Sequence, residues 1–200
     1  SGKTHLCRNL ANVLDVSFSI CDATEYTEAG YYGKDVEVMI GEMLHRNGFN
    51  VERAEMGIVF IDELDKLARK NDPMRTGASG RDIGGEGVQQ SLLKMLEGSR
   101  IFVPYNVTQH WNKHDFVELD TTNILFICAG AFEGIEHIRT YEIGFEKKES
   151  RASEFTGKVG NDTLRKFGLI PELLGRIPVK IQLHSLGEEH LRKILVEPPD

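Results

Sequence analysis

After Thr4, apolar residues recur at helical spacing at Leu6, Leu10, Val13 and Leu14, which predicts a helix over residues 3–14. Val16, Phe18 and Ile20 then alternate with small polar neighbours, the pattern of a strand. A second helical stretch at 34–45 carries Val36, Met39, Ile40, Met43 and Leu44 on one side, with Gly48 placed to stop it. Residues 58–61, Ile-Val-Phe-Ile, form a short unbroken apolar run rich in β-branched side chains, as expected of a strand buried on both faces of a parallel sheet. Residues 124–128 repeat that signature. Between the two runs, Val88, Leu92, Leu93 and Leu96 predict a helix over 88–96. Strands alternating with helices imply βαβ units and a doubly wound α/β sheet.

Three polar stretches, 69–87, 105–116 and 139–162, interrupt this pattern and are long for connectors in a compact domain; such loops are commonly either functional or disordered, and these are expected to be mobile. Near the end, Ser185 and Glu188 stand at capping-box spacing ahead of Leu191, Ile194 and Leu195, so a new helix is expected there. The remaining residues offer it no companion, and it is read as opening a second domain. No internal repeat or low-complexity tract is present.

Composition narrows the classes. The 200 residues can form one large or two small domains and bury roughly 70% of the unfolded surface. The longest strongly apolar stretch, 124–132, is far short of the ~20 residues of a membrane-spanning helix, so a soluble protein is expected. Three widely spaced cysteines, Cys7, Cys21 and Cys128, fit neither a disulfide framework nor a zinc ribbon, and favour a reducing compartment. With 24 Lys plus Arg against 31 Asp plus Glu, the net charge of −7 gives no general attraction to nucleic acid. The chain opens on Ser1 rather than Met, and it is expected to be a piece of a longer polypeptide.

Ser1-Gly2-Lys3-Thr4 matches the second half of a phosphate-binding loop, in which backbone N–H groups surround phosphates, the lysine reaches their oxygens and the hydroxyl binds Mg²⁺. Alone, this tripeptide-scale match is equally an ordinary helix start. Downstream, the run 58–61 is followed at once by Asp62 and Glu63. A carboxylate at the carboxyl end of a buried strand faces the crevice where nucleotides bind in open α/β sheets. Asp62 is thus a candidate Mg²⁺ ligand and Glu63 a candidate base for an attacking water. Together the two halves point to a nucleoside triphosphatase.

Gly30-Tyr31-Tyr32-Gly33 sets two aromatics between glycines, suited either to a buried turn or to a projecting loop that grips a chain by packing. Arg176 follows a proline-bounded helical turn, as a surface residue or as a cation lent to a neighbouring subunit's phosphate. His110 and His114 are four apart but lack the zincin Glu and sit in a loop-like context, so solvated histidines are the better reading. The glycines over 77–87 read as a flexible loop rather than a dinucleotide fingerprint.

These motifs, in this order along essentially the whole chain, resemble the AAA+ module of the ClpX family, ATP-dependent protein unfoldases that feed the ClpP peptidase. The resemblance extends to Asp22-Ala23-Thr24, Glu28 to Gly33, Gly85 to Gln90 and the segment 167–178. It implies a P-loop AAA+ large α/β domain over 1–183, a parallel sheet flanked by helices, with 184–200 starting a small helical domain. It implies ATP and Mg²⁺ as cofactors, with Ser1, Gly2, Lys3 and Thr4 in the Walker A loop, Asp62 and Glu63 as the Walker B pair, and Arg176 as the finger. Tyr31 would be the first pore-loop aromatic, and Tyr32, where the family has Val, thickens that loop. The second pore loop would fall near Arg81. The pore-entrance loop is reduced to Asn112-Lys113-His114, one positive charge fewer than the family's Arg-Lys-His. Ile143-Gly144-Phe145 would be the tripeptide that docks the peptidase.

The implied assembly is a homo-hexamer acting on unfolded or tagged proteins, in a bacterial cytoplasm or mitochondrial matrix, with neither membrane nor nucleic acid as partner. These residues alone are expected to bind nucleotide weakly. The alternatives left open are the related unfoldase HslU, a DNA-acting AAA+ ATPase, and a scaffold that keeps only the fold.

Overall fold

A computed structural model describes residues 2–27, 34–68, 85–104, 116–140, 159–184 and 186–197. Helix α1 spans Lys3–Leu14, and strand β1 spans Phe18–Asp22. The strand starts two residues later than the alternation suggests, because Asp15 takes a left-handed conformation that caps α1 and the Val16 N–H bonds back to Ala11. Helix α2, Val38–Arg46, is shorter at its start than expected, since Lys34 is instead bridged to Tyr26. Gly48 follows α2 with φ 60°, as a stop signal should. The short helix α3, Val51–Glu55, is an addition whose N-cap Asn50 accepts from the Arg53 N–H at 3.0 Å. Strand β2 is Ile58–Asp62, helix α4 Glu86–Leu96, strand β3 Arg100–Pro104, strand β4 Phe116–Asp120 and strand β5 Leu125–Cys128. Helices α5 (Ile135–Thr140), α6 (Asn161–Phe167), α7 (Pro171–Arg176) and α8 (Glu188–Val196) complete the chain.

The two unbroken apolar runs lie side by side, but only β2 is buried on both faces: β5 ends the described sheet, with Leu125 48% exposed and Phe126, Ile127 and Cys128 only partly buried, so the second run is corrected to a half-covered strand. The sheet order is β1-β2-β5, all parallel, with Ile20 opposite Phe60 and Phe60 opposite Ile127. Val59, Phe60 and Ile61 are each 0% exposed, since helices cover both faces of the central strand. Met39, Ile40, Met43 and Leu44 of α2 and Val88, Leu92 and Met95 of α4 fill the core around it. This is the parallel sheet flanked by helices that the sequence predicts.

Several expectations are corrected. The stretch 69–87 ends earlier, because Gly85 is the N-cap of α4 and Gly87 is a buried helical residue. Residues 139–162 likewise lose their ends to α5 and α6. The antiparallel hairpin β3–β4, pairing Val103 with Val117 and Ile101 with Leu119, is absent from the sequence reading. On α1 the predicted apolar stripe faces outward: Leu6, Leu10, Val13 and Leu14 are 59%, 41%, 84% and 54% exposed. The helix meets the sheet through Ala11, with Lys3, Thr4 and Cys7 partly covered along the same stripe, residues small or polar enough for close backbone approach. Helix α8 is capped by Gly187 without a side-chain hydrogen bond, so the capping box is not used, and none of its residues is buried.

Candidate functional site

The site is built at the carboxyl edge of the parallel sheet. Gly2 adopts φ 72° and ψ 13°, a left-handed turn into α1 that suits a residue without a Cβ. Lys3 is the first helical residue. No side-chain cap or first-turn acid neutralises the amides at this end of α1, which leaves its partial positive charge facing outward. The Lys3 ammonium donates to the Gly130 carbonyl at 2.9 Å, just beyond the end of β5.

Asp62 ends β2, the strand against which α1 packs. Burial, and then the charge of Asp62, hold the Cys7 thiol above its ordinary pKa. Glu63 takes φ 57° and ψ 29°, a left-handed conformation costing a non-glycine residue about 1–2 kcal/mol. The surroundings enforce it. The Glu63 N–H donates to Asp62 Oδ1 at 2.9 Å, and the next residue, Leu64, is drawn into the core with its N–H on the Ala129 carbonyl at 2.9 Å. The Glu63 side chain is left exposed to solvent.

Asp65 completes the support. It is 8% exposed, accepts from the Ala131 N–H at 3.2 Å and lies against Gly130, where an added Cβ would come within 2.5 Å of its Oδ1 and 2.9 Å of the Phe132 ring. Gly130→Ala should therefore lower stability by about 1–3 kcal/mol through overpacking, read from a urea unfolding midpoint. An unchanged midpoint would contradict this close packing. The contact from Lys3 to Gly130 was not legible in the sequence, because its acceptor is a backbone carbonyl that any residue supplies.

The donor set fits a nucleotide phosphate with a divalent cation: an ammonium, helix-start amides, the Thr4 hydroxyl and the paired carboxylates of Asp62 and Glu63. Among the described residues no group of three His, Cys, Asp or Glu gathers to hold a metal ion. Mg²⁺ typically takes one or two carboxylates together with substrate phosphates. A separate cavity of about 440 Å³ between β1 and α2, lined among others by Cys21, Tyr26, Lys34 and Glu42, includes none of these groups.

Of the other expected site residues, Arg176 ends α7 half-exposed, and its guanidinium donates to Glu97 Oε1 at 2.8 Å rather than to either acid of the pair. Glu97 escaped the sequence reading because nothing local marks it. Ser1, Tyr31, Tyr32, Arg81, Lys113, His114, Ile143, Gly144 and Phe145 lie outside the described residues. The residues flanking the two tyrosines are described. Thr27 N–H bonds the Lys34 carbonyl at 3.0 Å, and Lys34 Nζ reaches Glu25 at 2.9 Å and Glu42 at 3.1 Å.

A helix start poised for anions, beside two acids ending an adjacent buried strand, defines a P-loop nucleotide-binding α/β domain. The chain belongs to the AAA domain family, whose Cdc48-subfamily model matches residues 1–180. Its relatives place it more narrowly, beside ClpX. It is 46% identical to the ATP-dependent Clp protease ATP-binding subunit ClpX of Treponema denticola, over 99% of this chain and 49% of that protein. It is likewise 46% identical to ClpX 2 of Wolinella succinogenes, over 100% and 49%, and 45% identical to ClpX of Bacteroides thetaiotaomicron, over 99% and 49%. The chain spans about half the length of these curated relatives, and the resemblance to the AAA+ module of ClpX is borne out. Among the described residues no helix is long and apolar enough to cross a membrane.

Proposed function

We propose that the protein is an ATP-dependent unfoldase and translocase of the ClpX type, working as a homo-hexameric ring that threads unfolded or tagged proteins and delivers them to a ClpP-like peptidase. The observation that carries this reading is the convergence of Lys3 and the Asp62–Glu63 pair at one edge of the sheet. In this reading Ser1, Gly2 and Lys3 bind and orient the phosphates of ATP, and Thr4 with Asp62 holds Mg²⁺. When bound, that ion neutralises charge on the phosphate oxygens. Glu63, exposed and held in a fixed backbone turn, accepts a proton from the attacking water. Arg176 is supplied to the nucleotide of a neighbouring subunit, where a fixed cation stabilises transition-state charge.

Tyr31 and Tyr32, with Arg81, Lys113 and His114, are assigned to gripping and admitting the polypeptide. Ile143-Gly144-Phe145 is assigned to peptidase docking. The bonded pair Thr27 and Lys34 gives the tyrosine loop an anchored base, so that movement of β1 and α2 would be passed to it. Helix α8, with no buried residue, fits the start of a separate helical domain over 184–200 following the large domain 1–183.

The test is loss of native fluorescence from a tagged, stably folded reporter, using the full-length protein with ATP. Unfolding should occur with the unaltered protein, and both Tyr31→Ala and Glu63→Gln should abolish it, Tyr31→Ala while still hydrolysing ATP. Hydrolysis without any unfolding by the unaltered protein would keep the motor and overturn the substrate.

A further inference from the structure

We propose that helix α4 aims Arg176, with Glu97 the positioning residue for its guanidinium; this rests on the reading of Arg176 as the cation lent to a neighbouring subunit. The observations begin at the other end of α4. Gln89 is 0% exposed. Its Oε1 accepts from the Ile170 N–H at 2.8 Å, and its Nε2 donates to the Leu67 carbonyl at 2.8 Å and the Gly168 carbonyl at 3.4 Å. A primary amide has two donor hydrogens and one carbonyl acceptor, so this buried side chain is satisfied on both ends. Ile170 is the N-cap of α7, so the core amide of Gln89 fixes where that helix begins.

From Gln89 to Glu97 the chain climbs about 12 Å, and from Ile170 to Arg176 about 9 Å, at the helical rise. At that second level Arg176 Nη2 meets Glu97 Oε1 at 2.8 Å. Two contacts therefore join α4 and α7, one at each end, and the helices run side by side in the same sense. Between them Leu173 and Leu174 bury one face of α7 at 0% and 4% exposure.

Glu97 stands on a firm support. Its N–H donates to Leu93 at 2.9 Å as the C-cap of α4, and the buried Thr121 hydroxyl donates to the Met95 carbonyl at 3.0 Å while accepting from the Ser99 N–H at 3.0 Å. An ion pair whose side chains are 51% and 48% exposed adds little to folding. What it does is narrow the rotamers of a long side chain before a partner's phosphate arrives. Leu67 closes the turn that follows Asp62 and Glu63, so Gln89 also ties a subunit's own acid pair to the arginine it lends.

The experiment is a double-substitution cycle on steady-state ATP hydrolysis by the full-length protein. Glu97→Gln should lower kcat roughly 3- to 10-fold with little change in KM, because misplacement of a positioned group weakens the transition state more than the ground state. Its thermal midpoint should be unchanged, and Glu97→Asp, which keeps the charge on a shorter arm, should recover part of the rate. In an Arg176→Ala background Glu97→Gln should add nothing. Normal kcat in Glu97→Gln, or losses that multiply in the double variant, would overturn the positioning role while leaving Arg176 as the finger. A lowered thermal midpoint that Glu97→Asp does not restore would mean a structural part only and would also overturn it. If Arg176→Ala alone leaves kcat intact, the finger reading fails, and this inference falls with it.

Discussion

Glu63→Gln should reduce ATP turnover by about 10²- to 10⁴-fold while leaving nucleotide binding in place, the usual span for removal of a general base. The two acids of the pair stand in different surroundings. Asp62 is partly covered beside α1, with one oxygen engaged by the Glu63 N–H at 2.9 Å. The Glu63 carboxylate is exposed and accepts no hydrogen bond among the described residues. Its amide replacement keeps the shape but removes the negative charge and with it the ability to take a proton. The left-handed backbone at Glu63 is held by Leu64 and β5, so the substitution should not relocate the side chain. Phosphate release and titration with a fluorescent nucleotide separate the two quantities. Turnover within a few-fold of normal would remove Glu63 from the base role, and loss of binding would recast it as a ligand of the nucleotide or its cation.

The second large effect is on stability. Phe60→Ala should cost about 3–5 kcal/mol, out of a typical 5–15 for a whole domain. Phe60 is 0% exposed at the middle of the central strand, between Ile20 and Ile127, with its ring 6.5 Å from that of Phe18. Sheet neighbours on both sides and helices on both faces leave little freedom to collapse into the vacated volume. A urea midpoint shift smaller than about 1 kcal/mol would mean that the core repacks around the gap. Asp62 lies two residues further along the same strand, so nucleotide binding should weaken in parallel with stability.

The central strands and the acid pair were legible because a run such as Ile58 to Ile61 has few alternatives to a doubly buried strand, and charge ending such a run is conspicuous. Helix α1 was legible as a helix but not in its orientation. Periodicity reports that an apolar stripe exists, and close packing of Ala11 on the sheet decided which face turned inward. The β3–β4 hairpin was missed because Ile101, Val103, Val117 and Leu119 supply only two inward positions per strand, too few to separate from a loop. The polar residues that organise the rest, Gln89, Asp65 and Glu97, carry no local signature at all. Their importance lies in partners such as Ile170, Ala131 and Arg176, far away in sequence.

The contact between Lys3 and the Gly130 carbonyl joins residues 127 positions apart. At a synthesis rate of about 5–20 residues per second, roughly 6 to 25 s separate the emergence of the lysine from that of its acceptor. In the second half of that interval β1 and β2 can pair, but β5 and the loop that receives Lys3 are still incomplete. The phosphate-binding end is thus made well before the strand that completes it, and a nascent chain that stalls before β5 would expose the central strand's open edge to other chains.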